Sequence, residues 1–121
     1  MPREKPPLRL TRPDGTELAA HLHVADSLWS RFMGLMGKPE LPAGEGICIR
    51  PCSSIHMFFM RFPIDALFVD ADGLVLRIYG SIRPWSVSGI VWKAKACIEL
   101  PAGTAAAKGL HVGDQVELVD A

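Results

Sequence analysis

Three features of the chain predict an α+β domain, mainly antiparallel β, with a small curled, barrel-like sheet and one α-helix at about residues 26–37. Short apolar runs alternate with polar residues, turn dipeptides separate the runs, and a single stretch carries helical spacing. A β-rich layer of this size hides its edges most easily by curling, with the helix over one opening. The 121 residues fit one domain, read as a flexible lead-in at 1–7 and a single unit at 8–121. Such a domain buries roughly two-thirds of its extended-chain surface, enough for one core without disulfides or metal.

The elements follow in order. Residues 8–10 and 17–24 form a hairpin across Pro13, Asp14 and Gly15, because Pro presets φ and Gly takes the left-handed corner. Leu18, Ala20, Leu22 and Val24 share one parity, which leaves His21 and His23 on the wetter face. Asp26 caps the helix. Leu28, Phe32, Leu35 and Met36 give its apolar stripe, and Gly37 with Pro39 stops it. Gly34 then falls mid-helix, at a cost of about 1 kcal/mol relative to alanine, and implies close packing there. Strands are expected at 46–50, 56–62, 66–69 and 74–79, with Asp72 and Gly73 forming the strongest hairpin turn. Residues 80–91 read as irregular and 91–100 as strand. One helical turn follows at 104–108, stopped by Gly109, and a closing strand at 115–119.

Composition narrows the function classes. Hydrophobic residues make up 49% and charged residues 21%, with 13 cations balancing 13 anions. Nucleic-acid binders usually carry a basic excess, so no nucleic-acid partner is expected. No run reaches the ~18 apolar residues of a membrane span, and the N-terminus has no signal core. A cytoplasmic chain without a membrane partner follows, a monomer or weak homodimer. Cys48, Cys52 and Cys97 cannot all pair within one chain, which favours free thiols over a disulfide scaffold.

Chemistry concentrates between Cys52 and Asp65, where His56, Arg61 and Asp65 interrupt an apolar run. Buried polar groups need partners, so this stretch builds either an internal cross-link or the wall of a site. On a regular strand His56, Phe58, Met60 and Phe62 would face one way and Met57, Phe59 and Arg61 the other. Asp65, beyond Pro63, can turn back toward His56; a structural latch is the plainer reading of that pair, a general base the sharper one. Arg31 can fork onto Asp65, Glu99 or an anionic ligand, or lie solvated on the helix. Cys48, Cys52 and His56 are spaced four apart. Zinc wants four ligands in a regular arrangement that Pro51 interrupts, so no metal is expected. Trp85, on a loop fixed by Pro84, is the better ligand contact of the two late tryptophans, and Trp92 the other anchor for a protein partner.

Several motifs occur in order: Arg31, Phe32, Met33, Gly34, Leu35, Met36; the run from Ile55 and His56 to Asp65; Pro84 and Trp85; Glu99, Leu100, Pro101, Ala102, Gly103; and Gly109 to Asp114. Over about residues 17–119 they resemble the bacterial and archaeal family known as domain of unknown function 192. The resemblance implies a compact β-rich α+β domain and supplies no reaction, cofactor or catalytic residue. Met57 stands where the family pattern often has threonine, and Ser86 where a basic residue commonly follows Pro-Trp.

The residues together point to a non-catalytic domain that binds a small molecule, with a pocket lined by Arg31, His56, Phe58, Arg61, Asp65 and Trp85, and no cofactor. The alternatives are an enzyme with His56 as base oriented by Asp65, or a protein-interaction domain.

Overall fold

The computed structural model describes residues 7–27, 30 and 34–120. Among the described residues seven strands form one sheet: β1 Leu8–Thr11, β2 Glu17–Ala25, β3 Glu45–Ile49, β4 Ile64–Val69, β5 Val75–Ile82, β6 Ala96–Pro101 and β7 Glu117–Asp120. Their order is β5-β4-β6-β3-β2-β1-β7. All pairings are antiparallel except β2 with β3, which run parallel with Leu22 opposite Gly46 and Val24 opposite Cys48. A parallel pair needs a long crossover, and residues 26–44 supply it. One helix, α1 Thr104–Ala107, is described in full and matches the single turn expected there.

The predicted turns form as their chemistry requires. Gly15 takes φ 87° and donates to the Arg12 carbonyl, while Asp14 accepts the Thr16 amide. Asp70, Asp72 and Gly73 turn β4 into β5, with Gly73 at φ 84°. Asp114 accepts the His111 amide ahead of β7, the turn expected there.

Part of the expected helix at 26–37, positions 28, 29 and 31–33, lies outside the described residues. At its start Ser27 and Ser30 cap reciprocally, each hydroxyl accepting the other's amide at 3.1 Å. At its end the Gly34 amide donates to the Ser30 carbonyl and Gly34 turns left-handed, φ 46°. Gly34 therefore terminates the helical turn instead of sitting mid-helix, because a left-handed residue cannot continue it. Residues 34–37 follow as turns.

Both faces of the sheet are apolar. Leu10, Leu22, Cys48, Leu67, Ile98 and Leu100 belong to one core cluster; Ile47, Ile49, Ile64, Phe68, Met57 and Cys97 belong to another. β4 is buried along its whole length, as a central strand covered on both faces must be. The sheet curls without closing into a barrel. Its ends are tied at one bridge, Leu74 to Gln115, beside the Val75 amide to Asp114 carbonyl and Val116 amide to Gly73 carbonyl bonds.

Candidate functional site

Residues 56–62 are not a strand. His56 makes one bridge to Val87, and the chain then folds into a turn in which the Met60 amide donates to the Met57 carbonyl and Phe59 takes φ 63°. Strand parity therefore fails. Ile55, Met57 and Met60 point into the core, while His56, Phe58, Phe59 and Arg61 stay outside. Met57, where the family pattern often has threonine, is fully buried.

Asp65 and His56 do not meet. Asp65 shares parity on β4 with Leu67 and Val69, members of the first cluster. It is 1% exposed, and its carboxylate accepts three backbone amides: Ser81 at 2.9 Å, Gly103 at 3.1 Å and Ala105 at 2.8 Å. Two of these are the free donors at the start of α1, so Asp65 caps that helix from another element. His56 borders a cavity lined from the second cluster, on the other side of the sheet, by Ile49, Ile55 and Met60. The expected His56–Asp65 pair, with its base-and-orienter geometry, is thus replaced by a structural cap.

The structure does bring together His56, Phe58 and Trp85. The His56 and Phe58 rings lie 5.1 Å apart, and Phe58 and Trp85 6.1 Å apart. Trp85 adopts φ 66° and its amide donates to the Met57 carbonyl at 2.7 Å. Arg61 is exposed beyond the turn. Arg31 lies outside the described residues.

The cavity beside His56 has a volume of about 80 Å³, and its polar walls are Cys52, Ser54, His56 and Glu99. Glu99 shares parity on β6 with Cys97 and is only 4% exposed. Burial, with Cys52 nearby, pushes its carboxyl up to about 8, so it is mostly protonated at neutral pH. In the sequence Glu99 is a possible partner for Arg31 and the first residue of a family motif; its further signal is that it is a lone acid inside the apolar run from Ala96 to Leu100. His56 Nδ1 accepts the Phe58 amide at 3.2 Å, so the neutral ring carries its proton on Nε2. The Cys52 thiol donates to the Ser54 carbonyl at 3.1 Å.

The spacing of Cys48, Cys52 and His56 does not gather three ligands. Cys48 packs in the first cluster, where burial raises its thiol to about 11, while Cys52 and His56 border the cavity. Cys97, fully buried behind Cys52, is held well above the ordinary thiol range, first by burial.

Comparison with known proteins agrees with this architecture. The chain is 30% identical over 112 residues to a UPF0127 protein of Thermococcus sibiricus, covering 89% of this chain and 72% of that protein. It is 31% identical over 108 residues to a UPF0127 protein of Pyrococcus furiosus, covering 85% and 90%. Two crystal structures share the fold. A Sinorhizobium meliloti protein provisionally described as a transcription regulator superposes with TM-score 0.83 at 22% identity, covering 98% of this chain and 97% of that one. A Novosphingobium aromaticivorans protein of unknown function gives 0.79 at 26%, covering 92% and 83%. The signature of the DUF192 family, described as "Uncharacterized ACR", matches residues 9–118, and the chain belongs to that family.

Proposed function

We propose that this domain binds a small oxygen-bearing molecule, without turning it over, in the cavity between His56 and Glu99. The observation that carries the reading is a buried, mostly protonated carboxyl on the wall of a cavity that His56 also borders. No hydrogen bond or ion pair to a described residue engages that carboxyl. Below pH 8 Glu99 offers an O–H, and His56 offers Nε2–H; two donors suit a carbonyl or carboxylate oxygen. The volume of about 80 Å³ holds roughly five water-sized positions, which restricts the ligand to a few heavy atoms. Phe58 lies beside the His56 ring, and Trp85 packs against Phe58 and Phe59, so these rings form an apolar surface next to the cavity and not its wall. Arg61 is exposed beyond the turn and does not line the cavity, Arg31 falls outside the described residues, and Asp65 contributes only through the fold.

Titration of the isotope-labelled protein with acetate and acetamide, followed by amide NMR shifts, tests the reading. Shifts confined to Ile55, His56 and Glu99, lost in His56→Ala at an unchanged melting temperature, support it. Acetate affinity should fall steeply above pH 8, where Glu99 becomes an anion. Silence at those three amides with both probes rejects the proposal.

A further inference from the structure

Residues 52–57 run antiparallel to 85–95, joined by backbone bonds from Met57 to Ser86 (2.7 Å), Ser88 to Ile55 (2.9 Å), Val91 to Ser53 (2.8 Å) and Cys52 to Lys95 (3.1 Å). The two segments thus make one ribbon. Its inner side fills the second core cluster with Ile55 and Met57. Its outer side and tip carry Phe58, Phe59, Trp85, Val87, Ile90 and Trp92, six of the seven large hydrophobics left exposed among the described residues. Trp92 is 84% exposed. Folding alone does not call for these rings, because the core beneath is already occupied.

Two further features set the ribbon apart. Phe59 and Trp85 hold left-handed backbones, φ 63° and 66°, a strained conformation that bulky residues rarely adopt. Charge is also segregated. Residues 50–64 and 80–95 contain Arg50, Arg61, Arg83, Lys93 and Lys95 and no aspartate or glutamate, in a chain whose 13 cations and 13 anions cancel overall, so the remaining residues carry a net negative charge. All five cations are exposed. Arg77, stacked on Tyr79 whose hydroxyl accepts the Gly89 amide, adds a sixth at the flank.

We propose that this ribbon docks peripherally on an anionic lipid bilayer. Tryptophan and phenylalanine favour the headgroup boundary, and lysine and arginine are drawn to its negative surface. No long apolar run is needed for such contact, so the lack of a spanning segment does not bear on it. A nucleic-acid strand fits less well. Base stacking needs open ring faces, whereas Phe58 and Phe59 pack against Trp85 at 6.1 and 5.0 Å, and Val87 and Ile90 offer no ring at all.

The test is co-sedimentation of the full chain with phosphatidylcholine vesicles, with and without phosphatidylglycerol, at low and high salt. Binding only to the anionic vesicles, reversed by salt and accompanied by a blue shift of tryptophan emission, is the expected result. Arg83→Glu with Lys93→Glu should weaken partition at least about tenfold. Phe59→Gly relieves the left-handed strain, so it should keep or raise the melting temperature while losing most of the partition. Failure to sediment with anionic vesicles overturns the proposal. Equal binding to both vesicle types, undiminished partition of folded Phe59→Gly, or retention of single-stranded DNA in place of vesicles does the same.

Discussion

At the scale of single residues, two buried acids do opposite things. Asp65 is spent on structure, because three amides need its oxygens. Asp65→Ala should cost about 3–5 kcal/mol, read from urea denaturation, by leaving those donors unpaired. Asp65→Asn should recover part of this, having one acceptor oxygen in place of two. Glu99 is destabilising when ionised. Its folded value of about 8 lies above the ordinary 4.5, so between these the folded state holds a proton that the unfolded chain releases. Its stability contribution is full below 4.5 and is lost as pH rises through about 8. Glu99→Gln should flatten that slope and exceed the parent at pH 8 by on the order of 3 kcal/mol in denaturant titrations. Equal slopes for parent and variant would contradict the buried, mostly protonated carboxyl.

At the scale of elements, turn chemistry was legible and side-chain direction was not. Pro13-Asp14-Gly15 and Asp72-Gly73 turn where their conformational preferences demand. The run at 56–62 has the composition of a strand, yet it pairs with the loop at 85–86 through Met57, whose amide donates to Ser86 and whose carbonyl accepts from Trp85, and its middle folds back at Phe59. Composition reports burial averaged over a segment; where the chain reverses depends on which backbone partner is available. The helical stretch shows the same limit. Its stop came at Gly34, three residues before the glycine that the apolar pattern favoured. The Ser27–Ser30 reciprocal cap gives a direct check: Ser27→Ala should lower stability by about 1 kcal/mol, measured by thermal melting.

Across the whole molecule, the sheet is held in its curl by a narrow tie between its two ends. Gly73 sits at that tie, and a Cβ there would lie 2.2 Å from the Val116 carbonyl oxygen, with φ already at +84°. Gly73→Ala should cost at least about 2 kcal/mol, from a positive φ and a backbone overlap together. Gly103→Ala provides the control, since it has similar φ but open space around it, and should cost only about 1 kcal/mol. Denaturant midpoints of the two variants separate close approach from backbone strain; similar losses would remove the tie's special role. No helix among the described residues is long and apolar enough to cross a membrane.

The sequence by itself determined the β-rich class, the hairpin turns and the single turn at α1. These depend on local conformational preference and on the spacing of apolar residues, which neighbouring positions encode. Only the tertiary structure decided that β2 and β3 run parallel, that Asp65 and His56 belong to opposite sides of the sheet, and that Glu99 borders the cavity instead. A strand turns its side chains by alternate residues, so one position of register moves a group from one core to the other. That register is set by pairing between segments far apart in the chain, where local sequence has no say.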